Sequence, residues 1–269
     1  MADAPPRVIV FDMDETLGHF VQLGGFWDAI ERAHSKRLPR SHFIETMQLY
    51  PEYVRPGMEE LLAQLVRARN RGVIAAIIMY TNNQGPEEWA ESVAAYFDKH
   101  AGEQVFDMII PAYSARGRRV SPCRTSHAKS PADLLRCTGL PDDARICFID
   151  DQYHQPMAAP STYYIRAPEY VSHILPHDFA DRYLKRFGAR CDSGFPARLG
   201  QTFLDGPGIS PRERPSDNSQ DTTGWLRAHI SRFLAMTRPG VSRRPMRRGT
   251  SRRRGSGMTR RRRHSLMWS

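Results

Sequence analysis

A run of four apolar residues, Val8, Ile9, Val10 and Phe11, stops abruptly at Asp12-Met13-Asp14. An unbroken β-branched and aromatic run reads as a strand buried on both faces, as strands of a parallel sheet are. Ligands of open α/β sheets bind outside the carboxyl ends of the strands. A strand that closes in Asp-x-Asp therefore delivers two carboxylates to the edge where a ligand sits. Anions this close repel each other unless a cation lies between them or one takes a proton. The pair thus fixes both a fold class and a demand for neutralisation.

The same grammar recurs along the chain. Residues 73–80 (Val-Ile-Ala-Ala-Ile-Ile-Met-Tyr) read as a second buried strand, closing in Thr81-Asn82-Asn83. A hydroxyl there, with free backbone N–H groups leading into a helix, suits phosphate oxygens. Pro86 is placed for the first turn of that helix, which the pattern carries to about Phe97. Residues 105–110 are a third strand candidate, with Val120 opening a return strand after the basic turn at 115–119. Residues 144–149 form a further strand, ending in Asp150-Asp151-Gln152-Tyr153-His154, and 163–165 a last short one. Lys129 stands just before Ser130-Pro131, a helix-start signal, and Arg124 is the competing cation. His154 is open to two readings, a substrate contact or a surface histidine.

Between these runs the apolar period is helical. Phe26, Trp27, Ile30 and Ala33 suggest a helix over 26–33 and a helical turn follows over 43–50, whereas 18–23 shows no strong period. Leu61, Leu62, Leu65 and Val66 form a stripe that starts after Arg55-Pro56-Gly57. Cations over 67–71 suit its C-terminal dipole, and Gly72 suits its end. Phe179, Tyr183, Leu184 and Phe187 mark a closing helix. The insert between the first two strands is small, so the expectation is a modest helical cap or none.

No apolar run approaches the roughly 20 residues of a membrane span. The start, Met-Ala-Asp-Ala-Pro-Pro, lacks a basic segment and an apolar core, so no signal peptide is expected. Cys123, Cys137, Cys147 and Cys191 form no Cys-x-x-Cys pair, and reduced thiols in an intracellular, soluble chain are expected. Zinc at Cys123, His127 and Cys137 fits by residue type but not by spacing. The net charge is +10, yet fourteen arginines and no acidic residue lie beyond Asp221, so the remainder carries −4. The pattern divides into a globular domain over 1–190, a linker with a short helix at 225–236 over 191–238, and an Arg-rich tail over 239–269 that cannot bury a core. The tail reads as a contact for nucleic-acid phosphate, as a nuclear import signal, or as a solvated segment.

Asp12-x-Asp14-x-Thr16, Thr81, Lys129 and Asp150-Asp151, in this order, resemble the four motifs of the haloacid dehalogenase (HAD) superfamily, over roughly residues 8–165. That implies a Rossmann-like parallel sheet flanked by helices, with a turn and flap over 18–23. It also implies a Mg2+-dependent phosphatase. Asp12 would be the nucleophile and Asp14 the general acid and base. Thr81, with Asn82 and Thr16, would hold phosphate, and Lys129 would neutralise charge. Asp12, Asp150, Asp151 and the Asp14 main-chain carbonyl would serve the metal. Asp-x-Asp-Glu-Thr-Leu, Arg55-Pro56-Gly57 and the small cap are similar to the RNA polymerase II C-terminal-domain phosphatases, or NLI-interacting-factor branch. Asp-Asp-Gln-Tyr-His departs from the Asp-Asn-Ser-Pro usual there, and the helical segment before Arg55 replaces a β-element. Thr-Asn-Asn-Gln-Gly-Pro and Phe-Ile-Asp-Asp-Gln-Tyr-His also resemble HAD proteins of large DNA viruses. The resemblance leaves three readings. The first is a phosphoprotein Ser/Thr phosphatase. The second is a phosphatase of nucleotide or polynucleotide ends, and the third is a non-catalytic nucleic-acid-binding protein on this fold. None of them needs a membrane partner.

Overall fold

The computed structural model describes residues 4–86, 88–205 and 221–236. The Arg-rich tail over 239–269, expected to be disordered, lies outside the described residues. The centre is a five-stranded sheet in which every neighbouring pair runs parallel. In chain order the strands are β1 (Arg7–Phe11), β2 (Ala76–Tyr80), β3 (Met108–Ile110), β6 (Arg145–Asp150) and β7 (Thr162–Arg166). A two-stranded antiparallel hairpin, β4 (Ser114–Ala115) with β5 (Arg118–Arg119), lies between β3 and β6 in the chain. The sheet order β3-β2-β1-β6-β7 puts β1 at the centre, with its two neighbours reached in opposite directions along the sheet. Such a reversal opens a crevice at the carboxyl ends of the two strands that flank it. Here those strands are β1 and β6, the two that close in aspartates.

Strand residues alternate between two cores. Ile9, Phe11, Ile77, Met79, Cys147 and Ile149 enter the larger one. Helices α1 (Phe20–His34), α2 (Arg40–Met47), α3 (Met58–Asn70), α4 (Glu88–Ala101), α6 (Pro176–Phe187), α7 (Phe195–Asp205) and α8 (Thr222–Ala235) supply its other side. Val8, Val10, Ile78, Tyr80, Ile146 and Phe148 face a thinner layer closed by Leu134 of α5 (Pro131–Thr138) and by Met157. Fully buried strands of this kind need apolar residues at every position, which is why their sequence shows no alternation.

Some boundaries differ from the sequence reading. The turn and flap expected over 18–23 is largely helix, because Phe20, Leu23, Phe26 and Ile30 continue one buried face that starts at Phe20. Gly24 and Gly25 disguise that periodicity. Gly24 lies against the Trp89 ring, where an added Cβ would stand at an ordinary contact distance of 3.5 Å. The helices inserted after β1 pack against α7 and α4 as part of the helical layer, as expected for a small cap. Within 191–238 the expected short helix is α8, held by a bond from Thr223 Oγ1 to the Pro56 carbonyl (2.6 Å), whereas α7, which packs on α1, is a helix that the linker reading lacks.

The expectation of free thiols is overturned for one pair. Cys123 and Cys137 form a disulfide, with Cα atoms 5.1 Å apart. It ties the segment before α5 to the end of α5 and removes the zinc reading. Cys147 and Cys191 remain free. The closed loop spans a sequence separation of 14. A loop of about this size contributes about 3 kcal/mol through the unfolded chain's entropy. The double variant Cys123→Ser/Cys137→Ser, or strong reductant, is expected to lower the urea-unfolding free energy by about that amount.

A second prediction comes from the layer between α1, α2, α6 and α7. His34 Nε2 and His42 Nε2 lie 3.1 and 2.8 Å from the Tyr183 hydroxyl, among Phe187 and Phe195. Burial lowers both imidazole pKa values, with Lys36 adding to the effect at His34 and His34 at His42. The folded state therefore prefers neutral rings, while an unfolded histidine titrates near about 6.5. Stability from this pair is full above that pH and is lost as pH falls below it. Tm is expected to drop from pH 7.5 to 5.5, and more shallowly in His34→Gln/His42→Gln.

Candidate active site

Asp12 follows β1, its N–H donating to the Ile149 carbonyl (2.9 Å), and Asp150 is the last residue of β6. The parallel register therefore sets the two carboxylates side by side. Lys129, on the loop that leads into α5, reaches both. Its Nζ donates to Asp12 Oδ1 and to Asp150 Oδ2, the latter at 2.7 Å. The lysine is only 1% exposed, and its ammonium passes the rings of Tyr80 (5.7 Å) and Phe148 (5.8 Å). Burial opposes its charge, yet Asp12 and Asp150 together raise its pKa. Burial acts the same way on Asp150, but Lys129 and His154 hold that carboxyl below the usual range. His154 Nε2 sits 3.2 Å from Asp150 Oδ2, and the Gln152 N–H donates to Asp150 Oδ1 (2.8 Å).

One ammonium does not compensate this many carboxylates. Burial, together with Asp150, pushes Asp12 well above the usual carboxylate range despite Lys129. Burial and the Asp150 charge push Asp151 up to about 6. Ligand oxygens of Asp12, Asp150 and Asp151 all lie within 4.8 Å of one another. A convergent set of hard oxygen donors with excess negative charge fits a small divalent cation such as Mg2+.

Asp14 projects into the same cavity but is held apart from this cluster. Asn83 Nδ2 donates to its Oδ2 (2.7 Å), and its buried Oδ1 has no partner. Burial drives its pKa up to about 7, against the Asn83 bond. The Asn83 carboxamide is itself fixed, because its Oδ1 accepts the Gly85 N–H (2.8 Å) and its own N–H donates to Thr81 Oγ1 (2.9 Å). Asp12, Asp14, Thr81, Asn82, Asn83, Lys129, Asp150 and His154 are among the residues that line one cavity of about 270 Å³. Val21, at the start of α1, is the α1 contribution to that wall, and among the described residues no other helix of the insert after β1 lines it.

Two expected site residues fall elsewhere. Thr16 is fully buried and lies outside the cavity wall. Its hydroxyl donates to Asp151 Oδ1 (3.1 Å) and accepts the Asp151 N–H (3.0 Å), so it orients the acidic pair rather than facing a phosphate. Arg124, the competing cation, touches no carboxylate of the cluster. It is fully buried, stacks over Tyr80, and donates to the carbonyls of Thr81, Pro111 and His127 and to Asn82 Oδ1 (2.8 Å). Arg124 thus braces the Thr81 turn, and Asn82 is in the wall with its carboxamide oxygen committed to that brace. Arg55 does the same for the loop after β1. Its guanidinium donates to the carbonyls of Thr16, Glu15 and Pro168, each at 2.7 Å, and burial lowers its pKa to about 10. Glu15 there adopts a left-handed φ of 57°, a conformation that costs a non-glycine residue strain.

Residues 7–188 match the family model of the NLI interacting factor-like phosphatases. The chain belongs to that family. No curated protein and no solved structure gives a significant match. This NLI interacting factor-like phosphatase accordingly carries a HAD-type fold, and its family activity is that of a phosphoric monoester hydrolase. Among the described residues no helix is long and apolar enough to cross a membrane.

Removing the lysine tests how the cluster is held. Lys129→Met leaves Asp12 and Asp150 buried without their cation, and breaking a buried pair on one side costs about 3–5 kcal/mol. Urea unfolding of metal-free protein is expected to show a loss of about 3 kcal/mol. Added Mg2+ is expected to recover part of it in this variant if the Asp12, Asp150 and Asp151 oxygens take up a cation, which stabilises the folded state by mass action.

Proposed function

We propose that this protein is a Mg2+-dependent phosphatase of phosphoprotein Ser/Thr that works through an aspartyl-phosphate on Asp12. The supporting observation is the buried Asp12–Lys129–Asp150 bridge at two adjacent strand ends, opening into a cavity that also holds Asp14 and Thr81. An Oδ of Asp12 attacks phosphorus as the ester P–O bond breaks. Asp14 gives its proton to the leaving oxygen, then takes one from the water that hydrolyses the acyl phosphate and releases inorganic phosphate. A carboxyl whose pKa lies near neutrality suits both duties. The Thr81 hydroxyl and the Lys129 ammonium hold the transferring oxygens and balance their charge. Asp12, Asp150 and the Asp14 carbonyl would hold Mg2+, with Asp151 orienting them, and the ion would supply positive charge against the phosphate oxygens. The open cavity favours a phosphoprotein, because a side chain on a bulky partner can enter it.

The arginine run after Asp221 supports a second reading, a phosphatase of polynucleotide ends. Truncation after Pro239 separates the two. Weaker and less salt-sensitive cleavage of a phosphorylated oligonucleotide, with phosphopeptide cleavage unchanged, favours the second.

Hydrolysis of p-nitrophenyl phosphate tests the chemistry directly. Wild type is expected to need Mg2+, and Asp12→Asn is expected to lose activity by at least about 10³-fold, as loss of a nucleophile does. Full activity in Asp12→Asn would sink the covalent route.

A further inference from the structure

Beside the catalytic cavity lies a second one of about 220 Å³. Thr81 and Asn83 belong to the walls of both, so the two adjoin at the Thr81 turn. The rest of the second wall is small and apolar, with Pro86 and Ala90 on one side and Pro111, Ala112, Ala115 and Val120 on the other. Arg116 completes it. That residue occupies the two-residue turn of the β4–β5 hairpin with Gly117, at left-handed φ values of 50° and 75°. Turns of this hand favour Asn-Gly or Gly-Gly, so an arginine here costs strain that a smaller residue avoids. The side chain is exposed and makes no hydrogen bond or ion pair among the described residues. Arg119, two residues past the turn, is by contrast spent on the carbonyls of Ser121, Pro122 and Arg124.

We propose that this second cavity is a specificity subsite that takes an aliphatic side chain of a phosphopeptide, within two positions of the phosphorylated residue, while Arg116 pairs with an acidic side chain next to it. The inference rests on the phosphatase reading and narrows its substrate class. Its place beside the phosphate-holding turn limits the distance, since neighbouring residues of an extended peptide advance about 3.3 Å each. The described wall contains no aromatic ring, so it offers a nucleobase only the Arg116 guanidinium to stack on. Its apolar surface instead gains from a Leu-sized group leaving water. The free guanidinium at its edge matches a carboxylate in geometry and charge.

The test uses the full-length protein and an alanine-based phosphoserine peptide in which Leu, then Asp, then Lys, is scanned through the four positions within two residues of the phosphate. Wild type is expected to prefer Leu at one position by about 10-fold in kcat/KM. Ala115→Phe fills the cavity and is expected to erase that preference. Arg116→Glu is expected to turn an Asp preference into a Lys preference. Neither residue lines the catalytic cavity, so hydrolysis of p-nitrophenyl phosphate stays unchanged in both. The same peptides are titrated by fluorescence anisotropy against Asp12→Asn, which reads the preference as Kd without turnover. Loss of p-nitrophenyl phosphate hydrolysis in wild type would therefore count against the phosphatase reading and leave the subsite measurable. A flat Leu scan in both assays overturns the subsite, as does a preference that survives Ala115→Phe. Tighter binding of a phosphorylated oligonucleotide, weakened by Ala115→Phe, overturns the peptide assignment.

Discussion

The Lys129 ammonium, buried between the carboxylates of Asp12 and Asp150, is the interaction on which the site depends. Two parallel strands place like charges side by side at the edge of the sheet. Without a cation between them the edge would be repulsive and poorly solvated. The loop that carries Lys129 is therefore not free to vary in position. It is tied at its base by the Cys123–Cys137 disulfide, by Arg136 donating to the Cys123 carbonyl (2.6 Å), and by the Ser130 cap of α5.

Around that bridge, three arginines are used as struts rather than as ligands. Arg55 fastens the loop after β1, Arg124 the turn after β2, and Arg119 the segment between the hairpin and Arg124. Each donates to two or more main-chain carbonyls, which a guanidinium can collect because it offers several donors in a fixed plane. Loops carry the chemistry in open α/β sheets, and such bonds give them the rigidity that regular structure does not supply. Asn83 acts similarly on Asp14, fixing one oxygen and leaving the other bare.

The NLI interacting factor-like family sets the reaction, whereas the surroundings of the cavity set what reaches it. The helices inserted after β1 join the helical layer and leave the catalytic cavity open. The short β4–β5 hairpin contributes Ala115 and Arg116 to the cavity proposed as a specificity subsite. Its Arg116 differs from the strut arginines in having no carbonyl to hold.

The sequence by itself determined the elements that repeat a period and the motifs that end them. Three buried strands, β1, β2 and β6, were legible as apolar runs, because a strand covered on both faces admits little else. Asp12, Asp14, Thr81, Lys129 and Asp150 were legible because they follow those runs directly or precede a helix-start signal. The start of α1 was not, since two glycines hide its face, and α7 fell inside an apparent linker. Tertiary structure alone decided the pairings of residues far apart in the chain. Thr16 turned toward Asp151 instead of the cavity, Asn83 met Asp14 across 69 positions, and Arg124 became a brace for Thr81. It also decided the Cys123–Cys137 bridge, because spacing says nothing about a loop folding back on the helix that follows it. Periodicity records which face is buried, whereas contacts between loops depend on where the sheet delivers their ends.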